Sequence, residues 1–320
     1  SAEVKAQPMG MIVKLGISFA VSCVLTFCIT LLLTTPSQSS KKALVYYEYV
    51  ETRGTSTPEV EIDESNCVLC REPNEVLLRT RKLMTDGPKP YYKTILESAT
   101  YNPAKTAVVS IDMWDNHWCP VDKARAMALA PIVNITLNAA RARGMQIVHA
   151  PADVLGFYKD HPARKRTRRL SLHCSTKELK KNIIKWNPPK LPAYKLTNCP
   201  NEGAKARLVW TRINPDIYID DYDLMVNPDG KTEMFCLLHK LNIDTIIYVG
   251  IQSNYCVTNR PAGMMKARKY GFKTIIVPQA TQCNNDPSEP PYLNYDQACD
   301  IVIKFIESHI ATEGSLINPT

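Results

Sequence analysis

The stretch TIIYVGIQSNYCVTNR, residues 245–260, decides how this chain is read. Thr245, Ile246, Ile247, Tyr248 and Val249 form an apolar run rich in β-branched residues. It breaks at Gly250, passes through Gln252, Ser253 and Asn254, and reaches Cys256 as a helical pattern begins. The order is strand, tight turn, helix. A thiol at that turn faces the unpaired N–H groups of the helix start, which favours thiolate over thiol. A thiolate there can attack a carbonyl carbon. The competing reading makes Cys256 a small hydrophobe packed inside a βα unit, the usual fate of a free cysteine.

Working outward, residues 106–111 are a continuous apolar run of the kind buried on both faces of a sheet, and the run ends at Asp112. A periodic helical stretch over 123–143 stops at Gly144, and a second strand follows at 145–149. Further strands are expected at 207–213, immediately before Gly250, and at 273–277. Helices are expected at 232–241, 261–270 and 295–310. Alternating strands and helices without a tandem repeat imply an α/β fold, three layers of helix, mostly parallel sheet and helix. Ligands of such sheets bind at the carboxyl ends of the strands, where both Asp112 and Cys256 fall. The expected domain runs over 104–312, with a surface excursion at 171–206 and a tail at 313–320.

The chain of 320 residues is 45% hydrophobic, enough to bury a large core and too apolar for a disordered chain. Its 39 basic and 31 acidic residues leave a charge of +8, scattered except for RKRTRR at 164–169. That scatter argues against nucleic acid as a partner. The basic cluster reads as a solvated helix face or, on a lumenal side, a dibasic cleavage site. Of eleven cysteines, Cys23 and Cys28 lie in an apolar span; setting Cys256 aside as well leaves an even set that disulfides can consume. An oxidising compartment is expected. Cys67 and Cys70 form a lone CxxC with no paired histidines nearby, which speaks against zinc.

Residues 15–33 are nineteen consecutive positions without a charge, about 28 Å as a helix, which matches a bilayer core. After a short tail over 1–14, a transmembrane helix is expected there; a cleaved signal peptide is the competing reading. Ser18, Ser22, Thr26 and Thr30 form a stripe that lets a second helix approach in lipid, or that bonds its own backbone. Lys5 and Lys14 on one side and Lys41 and Lys42 on the other leave orientation open. Residues 34–103 read as a stalk or wrapping arm holding an apolar-aromatic run at 43–50 and a basic helical candidate at 75–84. The expectation is a single-pass membrane protein in an unassigned membrane, an organelle's included, with the globular part on the oxidising side.

Three ordered motifs carry a resemblance: IDMWDNHWC at 111–119, HAPADVLGFYKDHPARKR at 149–166 and VGIQSNYCVTNRPAG at 249–263. Together they resemble the isochorismatase-like cysteine hydrolase superfamily, nearest to a nicotinamidase-related branch with DMWxxHWC and NxCVxxRP motifs. The likeness spans about 104–310. It implies a parallel three-layer fold, Cys256 as nucleophile and Asp112 as the base that takes its proton and returns it to the leaving group. It further implies an oxyanion hole of backbone amides at Gln252 and Cys256, with a cis peptide just upstream of the cysteine. The family's catalytic lysine has no counterpart, since no lysine occurs between Lys205 and Lys231. Arg212 is the cation at that place; arginine holds charge but cannot shuttle a proton. The Asp-x-His element with which nicotinamidases hold a metal has no equivalent spacing here, so neither metal nor cofactor is expected. His149 reads as a packed histidine in preference to a ligand. Trp114, His117, Trp118 and Asn254 are candidates for the substrate pocket, the His117 cluster standing equally as a structural one.

Two functions follow. The first is a membrane-anchored hydrolase that cleaves a C–N bond of a small amide through a thioester on Cys256. The second is a catalytically impaired relative serving as a structural subunit among membrane-protein partners or further copies of itself.

Overall fold

The computed structural model describes residues 75–172, 174, 176–181, 183–187, 208–230 and 232–317. In chain order these form β1 (Glu75–Met84), β2 (Tyr91–Thr100), β3 (Thr106–Ile111), α1 (Pro120–Ala142), β4 (Gln146–Ala150), α2 (Pro162–Ser171), α3 (Thr176–Lys181) and β5 (Leu224–Met225). They continue with α4 (Glu233–Lys240), β6 (Thr245–Ile251), α5 (Cys256–Asn259), α6 (Met264–Lys269), β7 (Lys273–Gln282), α7 (Tyr295–His309) and β8 (Gly314–Ile317).

The strands make one sheet in the order β2-β1-β8-β7-β6-β3-β4-β5. From β8 to β5 every neighbouring pair is parallel; β1 runs antiparallel to both β8 and β2. Alternation divides the strand residues between two cores. Val108, Ile147, Ile247, Val249 and Ile275 face α1, which brings Ala126, Ala130, Val133 and Leu137. Ala107, Val109, Val148, Ile246 and Tyr248 face the opposite way, against Phe235 and Leu237 of α4, Met264 and Ala267 of α6 and Val302 and Ile306 of α7. Each large side chain so buried contributes roughly 1.5–3 kcal/mol, and that two-sided burial is why the central strands read as unbroken apolar runs.

Boundaries follow local chemistry. Pro120 opens α1 at a position where its missing N–H costs nothing, and Gly144 beyond its end takes φ 80, the left-handed stop of a helix. Asn294 and Gln297 bond each other's backbone at the start of α7, a complete capping box. The expected helix over 261–270 is α6, Met264–Lys269; the separate short α5 precedes it, and Arg260 and Pro261 interrupt the chain between the two.

Three expectations are corrected. Residues 75–84 are not a helix but β1; Leu78 faces the core at 2% exposure and pairs with Leu316 of β8, so the period that matters is two, masked by the basic residues between. The hairpin of β1 and β2 takes 75–100 out of any arm and adds it to the sheet edge. No strand forms over the described part of 207–213: Ile213 makes only an isolated bridge to Trp114, because Trp210 and Thr211 turn aside to stack on Trp114 and bond Asp115. Residues 314–317 are not tail but β8, seated between β1 and β7. The span 15–33, the run 43–50 and the CxxC lie outside the described residues; among those described, no helix is long and apolar enough to cross a membrane.

The basic cluster is less solvated than expected. Arg164 Nη1 bonds the Met225 carbonyl at 2.9 Å and Glu233 at 3.1 Å, and Arg166 Nη1 bonds the Tyr222 carbonyl at 2.6 Å. Of the excursion, α3 is described, and the Cys174–Cys236 disulfide ties its approach to α4. A second disulfide joins Cys283 to Cys299, and Cys119 is also disulfide-bonded.

Candidate active site

The site is built where β3 and β6 lie side by side. Their register sets Ile111 opposite Gly250. A Cβ on Gly250 would stand 2.2 Å from the Ile111 carbonyl oxygen, and Gly250 sits at φ 105, so only glycine lets the two strands meet here. The Ile251–Gln252 peptide is cis. Ser253 N–H then bonds the Gln282 carbonyl at 2.7 Å, while Tyr255 and Val257 N–H both close on the Gln252 carbonyl. This tight turn presents Cys256 as the first residue of α5.

On the neighbouring strand Asp112 leaves β3 with φ 48, a left-handed conformation that aspartate tolerates better than most residues. Its Oδ1 accepts the Ala152 N–H at 2.8 Å. Its carboxylate also hydrogen-bonds the Cys256 thiol. Among the described residues Cys256 is the free cysteine, the other cysteines there being disulfide-bonded. Both partners are enclosed, Asp112 at 0% and Cys256 at 5% exposure.

The cation at this pair is Arg260. Its Nε bonds Asp112 Oδ2 at 2.5 Å and its Nη1 bonds Asp229 Oδ1 at 2.8 Å. Arg212 is not there: it lies 3.9 Å from Asp115 Oδ2 and over the Phe157 ring, its side chain 47% exposed. The expectation for Arg212 is therefore corrected in favour of a residue four positions beyond the cysteine. The signal for Arg260 was in the third motif, as the arginine before Pro261.

Burial pushes the Asp112 carboxyl up to about 6, against the pull of the Arg260 charge and of the hydrogen bonds from Ala152, Cys256 and Arg260. Burial, followed by the Asp112 charge, drives the Cys256 thiol well above its ordinary range, and Arg260 offsets only part of this. The thiolate expected at a helix start is thus corrected to a neutral thiol. A helix of four residues offers a weak dipole, and desolvation beside a carboxylate outweighs it. At neutral pH the resting state is thiol, carboxylate and guanidinium in contact.

The Gln252 N–H is directed at the sulfur, and the Cys256 N–H, opening α5, has no partner within that helix.

The expected pocket residues separate. Trp114 stacks on Trp210 at 4.1 Å between centroids and donates its indole N–H to the Ala152 carbonyl at 3.1 Å. His117 lies between Trp118, at 5.5 Å, and Trp210, at 6.0 Å, and its Nδ1 accepts the Cys119 N–H at 3.1 Å. Burial lowers the His117 pKa, so its 3.8 Å approach to Asp122 is not an ion pair at neutral pH. Asn254 is no pocket residue: its amide donates to the Asn284 carbonyl at 2.8 Å and accepts the Asn284 N–H at 2.9 Å, clamping two loops. Asp122, which the sequence did not single out, accepts from Gln252 Nε2 at 3.4 Å, and burial raises its carboxyl to about 6. His149 is packed, its Nε2 2.9 Å from Asp223, which Arg141 also binds. No group of three or more His, Cys, Asp or Glu fit to hold a metal occurs among the described residues. A cavity of about 350 Å³, lined by Arg141, Gln146, Arg166 and Asp223, opens at the other end of the sheet, by the start of β4.

The chain is thus an α/β protein with a buried thiol–carboxylate–guanidinium cluster at the carboxyl ends of two adjacent central strands. It is similar in structure to a cysteine hydrolase from Pseudomonas syringae pv. phaseolicola, with 18% identity and a TM-score of 0.41 over 68% of this chain and 90% of that one. It is likewise similar to a protein assigned as an isochorismatase from Burkholderia xenovorans, with 15% identity and a TM-score of 0.38 over 66% of this chain and 83% of that one. At those scores neither likeness bears on function. No protein-family model and no curated protein matches the chain.

Proposed function

We propose that this chain is a cysteine hydrolase of the isochorismatase-like superfamily that cleaves the C–N bond of a small amide. The observation that carries the reading is the free Cys256 thiol hydrogen-bonded to an Asp112 carboxylate that Arg260 holds in place. Asp112 takes the thiol proton as sulfur attacks the carbonyl carbon, and the oxyanion forms against the N–H groups of Gln252 and Cys256. Collapse expels the amine, which leaves with the proton from Asp112, and a thioester remains on Cys256. Water attacks the thioester, gives its proton to Asp112, and the acid departs as the thiol is restored. Arg260 fixes the carboxylate without exchanging protons. No metal or cofactor enters any step.

The membrane anchor at 15–33 belongs to the same proposal, supported by its length and lack of charge, and the disulfides support an oxidising side for the globular part. Iodoacetamide tests the chemistry: although enclosed and neutral at rest, Cys256 is expected to label through proton transfer to Asp112, and Asp112→Asn to slow it. No labelling of Cys256 in the folded chain, or labelling unaffected by the Asp112 change, would end the hydrolase reading.

The near-complete enclosure of Cys256 and Asp112 favours a second reading, a structural subunit that retains the cluster for packing. On that reading Cys256→Ala costs stability with no loss of turnover on any amide, and the chain co-purifies with membrane-protein partners.

A further inference from the structure

The edge strand β2 is left unused by the chemistry. It is the outer strand of the sheet among the described residues, and it runs for ten residues, nearly twice the commonest strand length of about 5–6, where exposed edges are often kept short. Nearly all of it is exposed, with Tyr91 at 46% and Leu96 at 59%. Its outer backbone groups form a template for one further strand.

The charges on β2 say which strand fits. Lys93 lies directly opposite Lys82 of β1, a like-charge pair, and Glu97 lies opposite the apolar Leu78. Neither Lys93 nor Glu97 ends in an ion pair among the described residues. The two are four residues apart and share one face of the strand, with Ile95 midway between them. An antiparallel copy of the same strand, related by a two-fold axis through Ile95, sets each Lys93 opposite a Glu97 and each Ile95 opposite itself. Tyr92 then meets Ser98, Thr94 meets Leu96, and no like charges oppose across the new junction. The strand is its own complement in charge.

We propose that β2 is a self-association edge, through which two copies of this chain join antiparallel about Ile95 into one continuous sheet. Main-chain hydrogen bonds supply the affinity, and the reciprocal Lys93 and Glu97 pairs set the register. A two-fold axis makes the interface isologous, so it closes at two copies and does not run on into a fibre. The inference is independent of the chemistry at Cys256.

Sedimentation of the full chain in mild detergent, at about 50 μM so that a micromolar Kd gives mostly dimer, is expected to show two copies per particle. Lys93→Glu sets four glutamates at the junction and Glu97→Lys sets four lysines, so each variant alone is expected to dissociate at least about tenfold more readily. Mixed together, the two variants restore both attractive pairs and re-associate as a heterodimer. The double variant K93E/E97K dimerises as the unaltered chain does. Ile95→Cys gives a disulfide-linked dimer under mild oxidation. Unchanged thermal unfolding of the variants shows that each is folded. A monomeric unaltered chain, single reversals that leave the dimer intact, or a mixture that stays apart would each overturn the proposal. A monomer in which β2 is protected from exchange by upstream residues or by a different protein overturns it too.

Discussion

Arg260→Met removes the cation that lies 2.5 Å from Asp112 and keeps most of the side-chain volume. With Arg260 present, the Asp112 carboxyl titrates at about 6, so about nine-tenths of it is ionised at pH 7. An opposite charge in contact lowers a carboxyl by about 1–3 units. Losing it, at about 2 units, moves Asp112 to about 8 and leaves about a tenth ionised at pH 7, a change of about 3 kcal/mol in the balance between its two forms. The thiol moves the same way, since Arg260 is the one charge that eases its ionisation. Alkylation of Cys256 is therefore expected to fall about tenfold at pH 7 and to recover at higher pH, the whole profile displaced and not merely scaled. The assay follows iodoacetamide incorporation into the Cys256 peptide by mass spectrometry from about pH 5 to about pH 10. A variant whose midpoint stays near 6, or moves down, refutes the assignment of Arg260 as the charge that keeps Asp112 ionised.

Arg212→Ala is the matched control: with its side chain on Asp115 and half exposed, it is expected to leave the alkylation profile unchanged. A tenfold loss there would return the catalytic cation to Arg212. Gly250→Ala forces a Cβ to 2.2 Å from the Ile111 oxygen, so a loss of more than about 4 kcal/mol, or no soluble protein, is expected. Gly144→Ala, with φ 80 and open space around it, is expected to cost about 1–2 kcal/mol, measured by urea unfolding, and equal costs for the two would sink the close-approach argument. Cys299→Ser opens a loop with a sequence separation of 16 and is expected to lose about 3 kcal/mol, checked by thermal unfolding. Asp112 and Asp122 are raised from 3.8 to about 6 by burial, so the native state binds more protons than the unfolded chain in that window. Their contribution to stability is present below about pH 4 and lost as pH rises through about 6. The double Asp112→Asn, Asp122→Asn variant should flatten that decline, and an unchanged slope in denaturant midpoints across it would refute the shifts.

The central strands were legible because burial on both faces writes itself as an unbroken apolar run, as in residues 106–111 and 245–249. The edge was not. In β1, Arg79 and Arg81 stand where a one-sided strand meets solvent, and Arg79 finds Glu307 of α7 at 2.7 Å, so composition resembled a basic helix while the pairing that decided the matter lay more than two hundred residues away at β8. At 314–317 the strand is too short to carry any period. The segment at 208–213 looked like a strand by content, but its aromatic and polar side chains had better partners across the strand ends in Trp114 and Asp115.

At the candidate site, the thiol and the carboxylate were legible and their charge states were not. Cys256 and Asp112 could be placed by strand ends alone, because parallel strands deliver their carboxyl termini to one rim. Whether the proton sits on sulfur or on oxygen depends on burial and on which cation touches which oxygen, and neither is a property of spacing. The rule that a helix start lowers a thiol pKa assumed a long helix and an open turn; the chain supplies four residues and an enclosed sulfur beside a carboxylate. On the proposed chemistry the nucleophile would be made at the moment of attack, by a carboxylate near 6 that an arginine keeps ionised. Arg260 therefore matters for what it denies Asp112, a resting proton, and a lysine in its place could serve that end only if it held both Asp112 and Asp229 as the forked guanidinium does.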